Sequence, residues 1–261
     1  LKQKWDGLAQ HIASVIHGNT DITILTFFCK LSEVSVYSVY YSVVKGIKSI
    51  IQAFSNGIDA SFGDMIAKEE YENLNKKFGM YEVAYFTVCT IVFSCTMILV
   101  VPFVKVYTKG ITDANYIRPL FGYLIVISEY IWAIRLPYSS ITLAAGHFKE
   151  TRIGAWIEAT INIVVSLIFV KKFGIIGVTI GTIIAMAIRT IEFVFYTNRN
   201  ILKRNIWMSL EKILLIAIET VIIVFITNKA FTFNVISYVT LFKKAIIVLL
   251  ISSTITLLAN K

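Results

Sequence analysis

Apolar stretches long enough to cross a bilayer alternate with short polar links, and the polar positions inside those stretches carry most of the information. Residues 7–28, GLAQHIASVIHGNTDITILTFF, form the first. Asp6, Gln10, Ser14, His17 and Asp21 recur there on one helical face, and Gly18-Asn19-Thr20 predicts a local break. Residues 34–66 form a second, longer stretch. Tyr41, Lys45, Lys48, Gln52, Asn56 and Asp59 follow one another in steps of three or four, which keeps them on one face of an α-helix. At 1.5 Å per residue the stripe runs roughly 27 Å, close to the thickness of a hydrocarbon core. The opposite face, with Val36, Val43, Val44, Ile47, Ile51 and Phe54, is apolar. This pattern predicts lipid on one side and a wet, cationic surface on the other.

The link at residues 68–79, KEEYENLNKKFG, is the most charged stretch and predicts a surface connection. Spans follow at 80–106 and at 116–145, the latter with Glu129, Arg135 and a kink signal at Pro137. The span at 153–170 places Glu158, Asn162 and Ser166 four residues apart, a second polar stripe. The next, 175–197, opens with Gly174, Gly177 and Gly181, a spacing that lets helices approach closely, and carries Arg189 and Glu192 toward its end. Residues 210–227 and 245–258 are rich in Ile, Leu and Val, with Glu219 the charge in their cores. They read as lipid-facing additions to a six-helix unit. The prediction is an all-α polytopic membrane protein of about eight spans, with its start on the cytoplasmic side, where Lys and Arg are in modest excess.

Composition agrees with this reading. The chain is 57% hydrophobic and 16% charged, with a mean hydropathy of +0.74, against about 25% charged for soluble domains. Its net charge of +9 is scattered over loops and helix ends, which argues against nucleic acid. Cys29, Cys89 and Cys95 lack metal spacing and read as free buried thiols. No phosphate loop, HExxH, CxxC or nucleophile elbow occurs, and all loops are short, so neither a catalytic centre, a cofactor site nor a metal site is expected. The opening LKQKWDG is no signal peptide. The chain begins abruptly at a membrane segment, as expected of a fragment lacking an N-terminal part.

Lys48 lies near the middle of its span, where a lipid-facing Lys costs about 2.5–3.5 kcal/mol on the insertion scale. That cost is tolerable when the ammonium faces water, a carboxylate or an anionic substrate. Lys45 and Lys48 are therefore candidate substrate contacts, with structural pairing to Asp21 or Glu158 as the competing account. His17 and Asp21, four residues apart, read equally as a packing pair or as an ion- or proton-coupling site, for which Asp59 and Glu158 are further candidates.

The stretches GLAQHIASVIHGNTDITILTFF, VSVYSVYYSVVKGIKSIIQAFSNGIDASFGDMIAKEE, LPYSSITLAAGHFKETRIGAWIEATINI and FGIIGVTIGT, in this order, resemble the second half of bacterial polysaccharide-repeat flippases. These are the Wzx-type O-antigen and capsule exporters of the multidrug/oligosaccharidyl-lipid/polysaccharide (MOP) superfamily. The resemblance covers residues 1–205. It implies a C-terminal six-helix lobe at 1–205, two additional helices at 206–261, a missing first lobe, and a location in the bacterial inner membrane. It further implies a lipid-linked oligosaccharide of the undecaprenyl-diphosphate type as cargo. Lys45 and Lys48 would then meet the diphosphate, and Tyr41, Gln52 and Asn56 the sugar hydroxyls. The alternatives are a cation-coupled multidrug exporter, expected to have an acidic cavity, and a membrane-embedded polysaccharide polymerase or ligase, expected to carry a large loop.

Overall fold

The computed structural model describes residues 2–56, 58–230 and 237–259; the side chains of residues 2–4 and of Asp59 fall outside that description. Among the described residues the structure is helical, without strands. The order is α1 (Lys2–Phe28), α2 (Leu31–Ser55), α3 (Ile58–Ala67), α4 (Tyr71–Tyr107), α5 (Pro119–Ala144), α6 (Phe148–Phe173), α7 (Ile175–Tyr196), a π-helical turn (Thr197–Ile201), α8 (Trp207–Ala230) and α9 (Tyr238–Ala259). All but α3 have at least 22 residues. That length spans roughly 33 Å. Five are apolar enough by composition to cross a membrane: α4, α5, α6, α9 and the run Ile175–Ile201. The protein is an all-α polytopic membrane protein.

Three local expectations fail for identifiable reasons. The stretch 34–66 is two helices. Ser55, Asn56 and Gly57 are weak helix formers in sequence, and Asn56 caps α2 with an extended ψ of 138° while its N–H returns to the Gln52 carbonyl. The six-residue stripe is therefore interrupted, and Asp59 belongs to α3. The charged link is mostly helical, because Leu74 and Phe78, one turn apart and fully buried, anchor it as the start of α4. Only Lys68–Glu70 separates α3 from α4, with Glu69 in the left-handed region at φ 58°. Finally, α1 runs unbroken through Gly18-Asn19-Thr20. The helical ladder itself satisfies the backbone there, and Asn19 and Thr20 turn their side chains back along the helix, donating to the carbonyls of Val15 (2.8 Å) and Ile16 (2.7 Å).

Pro137 sits inside α5 and supplies no N–H to the carbonyl one turn before it. That carbonyl, of Ala133, instead accepts a hydrogen bond from the buried Tyr85 hydroxyl of α4 at 3.0 Å. α6 and α7 form a tight hairpin turned by Gly174 at φ 54°, a backbone angle that side chains disfavour. Along that hairpin Gly181 packs on α6 so closely that an added Cβ would stand 2.9 Å from the Ser166 nitrogen and 3.2 Å from the Asn162 carbonyl oxygen. The expected close crossing is thus between consecutive helices.

The apolar side of α2 is not simply a lipid face. Val36, Tyr40, Val44 and Ile51 are buried in the main core with α4 and α5, while Ile50 and Phe54 stay exposed. α8 and α9 dock on α4, and Ile98, Ile223 and Val248 form a separate small core there. Their remaining faces carry many of the exposed large apolar side chains, as the sequence predicts. The start of α8 is clamped to the bundle by Glu82 of α4, which has no exposed surface. Its carboxylate accepts from Tyr138 (2.6 Å), Ser209 (3.0 Å), Arg204 (2.8 Å) and Lys212 (2.6 Å).

Candidate functional site

The polar positions of α1, α2, α5, α6 and α7 converge on one continuous network. Asp21 is buried at its inner end. Its carboxylate accepts hydrogen bonds from Tyr37 (3.0 Å), from Thr182 (2.7 and 2.9 Å) and, longer, from Asn162 (3.4 Å), so three other helices converge on one α1 side chain. Ser166, one turn beyond Asn162, hydrogen-bonds to the Asn162 side chain and to the Val178 carbonyl. The second polar stripe therefore faces inward over its whole length. A buried carboxylate tolerates its position only when its oxygens are this well supplied with donors.

His17 does not bond Asp21 directly. Asn162 lies between them, 3.1 Å from His17 Nδ1, and links the two one-turn neighbours through α6. On its other side His17 Nε2 is 3.9 Å from Glu158. Glu158 in turn accepts from Arg135 at 2.6 Å and has Arg189 Nε 3.8 Å away, while Arg189 bonds Glu192 at 2.6 Å. Arg189 is only 2% exposed, and each guanidinium is matched by a carboxylate. Arg135, Arg189 and Glu158 line a cleft of about 370 Å³, together with Gln10, Ser14, Gln52 and Trp132.

On α2, Lys48 is half-buried against α5. Its ammonium lies 3.0 Å from Glu129 and 4.1 Å from the Trp132 ring centre, a paired and cation–π-stabilised position. The partner is thus neither Asp21 nor Glu158. Lys45, one turn earlier, is exposed and makes no ion pair among the described residues. Tyr41 stacks on Tyr37 with ring centres 5.7 Å apart, and Gln52 donates to Asn56 at 3.2 Å. The surface is less cationic than the stripe alone predicts, because α5 brings Glu129 to Lys48. Lys45 carries the open charge.

The structure therefore brings together His17, Asp21 and Glu158 in one cluster and Tyr41, Lys48 and Gln52 beside it. Lys45 and Asn56 stand at the exposed edge, and the side chain of Asp59 lies outside the described residues. Sequence reasoning missed Tyr37, Thr182, Glu129 and Trp132 as members. Glu129 was visible as a charge inside an apolar span. Tyr37, one turn before Tyr41, extends the polar stripe of α2. Thr182 beside Gly181 carried no signal of its own, since an uncharged hydroxyl in an apolar helix is ordinary. Among the described residues no cluster of His, Cys, Asp and Glu is placed to hold a metal ion.

The all-helical bundle, whose charged residues line the inner faces of α1, α2, α5, α6 and α7, shares its fold with two solved structures. One is a lipid II flippase, MurJ, in an inward closed conformation: TM-score 0.71, 19% identity, with 94% of this chain and 51% of that one covered. The other is a MOP superfamily transporter from Pyrococcus furiosus, described by the reverse polarity of its binding pocket: TM-score 0.61, 12% identity, with 86% and 52% covered. At these identities the likeness is one of fold. The chain spans about half the length of each neighbour. No protein-family profile and no curated protein matches it in sequence.

Proposed function

We propose that this chain is one lobe of a membrane flippase that moves undecaprenyl-diphosphate-linked oligosaccharide across the bacterial cytoplasmic membrane for O-antigen, capsule or exopolysaccharide assembly. The lobe comprises residues 1–205, and residues 206–261 add two helices to it. Its partner is a second lobe of the same protein. The observation that carries the reading is the pair of Lys on α2. Lys45 is exposed and makes no ion pair among the described residues, and Lys48 keeps a third of its side chain accessible beside Glu129. A diphosphate cannot enter an apolar slab without partners. Two ammonium groups one turn apart can meet neighbouring phosphoryl oxygens as mobile point charges. Lys45 makes the first contact, and Lys48 exchanges Glu129 for phosphate, so release restores an existing ion pair. Tyr41, Gln52 and Asn56 continue the face with hydroxyl and amide groups for sugar. The structural neighbour described as a lipid II flippase supports a lipid-linked cargo.

His17, Asp21 and Glu158 form the coupling site in this reading. Their network joins α1 to α6 and α7, so a change in its charge or occupancy acts on the packing of three helices at once. A cation-coupled drug exporter, for which an acidic cavity is expected, is the alternative reading of the carboxylates Asp21 and Glu158. The two readings separate at Lys45, whose open positive charge would repel cationic drugs.

Complementation of a flippase-null strain with the complete protein tests this. Lys45→Gln with Lys48→Gln should abolish surface polysaccharide while the protein remains inserted and folded, and the double Arg variant should retain part of it. Normal export by the double Gln variant would refute the substrate role.

A further inference from the structure

A lateral groove of about 690 Å³ lies between the first turns of α4 and α8. It shares no lining residue with the polar cleft of α1, α2 and α5. One part of its wall is apolar and open: Met80, Val83 and Met208 are all exposed. The other part is cationic, with Lys76, Arg204 and Lys212 on it. Glu82, buried behind this wall, is shared by Arg204 and Lys212, and Lys76 makes no ion pair among the described residues. Among the groove-lining residues and the ion pairs they make, three cations therefore stand against one carboxylate.

The surrounding side chains place the groove at the membrane–water boundary. Trp207 at the start of α8 is exposed, and Lys203 lies 4.8 Å over the ring of Tyr71 at the start of α4. Aromatic and basic residues mark the headgroup level. α4 has 37 residues. That is roughly 55 Å, well beyond the hydrocarbon core, so its ends run through the headgroup layer. Met80 and Val83 lie one to two turns deeper than Lys76, where acyl chains begin.

We propose that this groove binds an anionic phospholipid of the surrounding bilayer. The phosphate sits among Lys76, Arg204 and Lys212, and an acyl chain follows Met80, Val83 and Met208. Basic pockets between membrane helices bind such headgroups. A free phosphate would leave the apolar wall unused, and a zwitterionic lipid would leave the surplus charge unmatched. Bound there, the lipid fastens α8 to α4 beside the Glu82 clamp.

The test uses the purified, delipidated full chain, with phosphatidylglycerol or phosphatidylcholine added. Bound lipid is counted by native mass spectrometry, and the thermal midpoint is read alongside. Phosphatidylglycerol should be retained in preference and should raise the midpoint. Lys76→Gln, at an exposed position without an ion pair among the described residues, should weaken phosphatidylglycerol about fivefold and leave phosphatidylcholine unchanged. Gly79→Leu fills the groove at a site where an added Cβ meets nothing within 4 Å. It should cut phosphatidylglycerol retention without lowering the lipid-free midpoint. Equal retention of the two lipids, or phosphatidylglycerol binding untouched by both variants, would overturn the proposal. So would full reproduction of the effect by inorganic phosphate, or displacement of the lipid by equimolar undecaprenyl diphosphate, which would assign the groove to the cargo.

Discussion

Replacing Gly181 by alanine adds a single methyl where α7 crosses α6, and its sign can be worked out against a matched control. In an open helical position Gly→Ala gains about 1 kcal/mol from reduced backbone freedom. Gly46 of α2 is such a position, with nothing within 4 Å of an added Cβ, so Gly46→Ala should stabilise by about that amount. At Gly181 the new carbon would meet the backbone nitrogen of Ser166 and the carbonyl oxygen of Asn162. Neither atom can rotate aside; α6 itself has to shift. Overpacking of this kind costs about 1–3 kcal/mol, and backbone obstruction favours the upper end. The net expectation for Gly181→Ala is a loss of about 2 kcal/mol once the helical gain of about 1 kcal/mol is subtracted. Gly181→Leu should lose more. Thermal unfolding in detergent, followed by monodisperse elution after heating, reads both variants on one scale. The reasoning is refuted if Gly181→Ala is as stable as the wild type, or if it moves in the same direction as Gly46→Ala.

Glu82→Gln should destabilise by about 3 kcal/mol, the low end for breaking a buried ion pair, because Lys212 keeps 27% of its side chain exposed and can turn to water. Thermal unfolding measures it, and limited proteolysis should show α8 released first; an unchanged midpoint would contradict the clamp. Asp21→Asn should leave insertion intact and abolish polysaccharide export, and His17→Ala should change the pH dependence of export. Wild-type export with unchanged pH dependence in both would remove the coupling role.

Much of the fold was legible because the helices are long and separated by short polar links. Hydrophobic length alone locates α5 to α9 but not all of their ends, since α6 and α9 begin at Phe148 and Tyr238, ahead of the expected 153 and 245. The spacing of Glu158, Asn162 and Ser166 marked a polar stripe, which the structure turns inward. What was illegible depends on contacts between distant residues. Leu74 and Phe78 turn a charged link into helix only because a core receives them. The Gly18-Asn19-Thr20 break fails because α1 keeps its backbone ladder through weak helix formers, whose polar side chains fold back onto the i−4 carbonyls. Lys48 is the most instructive position. Its spacing put it on the polar face, but only the packing of α5 supplies Glu129 and Trp132 and leaves Lys45 as the open charge. Thr182 and Tyr37 entered the site by tertiary convergence on Asp21, which no local pattern on α7 announces.

The central claim is that Lys45 and Lys48 receive the diphosphate and that Glu129 competes for Lys48. It is tested most directly by the affinity of the purified complete protein for undecaprenyl diphosphate. Each lost charge-assisted hydrogen bond is worth about 1.5–3 kcal/mol, or about tenfold or more in affinity. Lys45→Gln alone should therefore weaken binding by about that factor, and the double Gln variant should weaken it further. Glu129→Gln, by freeing Lys48, should tighten it. The opposite pattern, with binding indifferent to both Lys and Glu129→Gln merely unfolding the protein, would show Lys48 and Glu129 to be a structural pair and contradict the account.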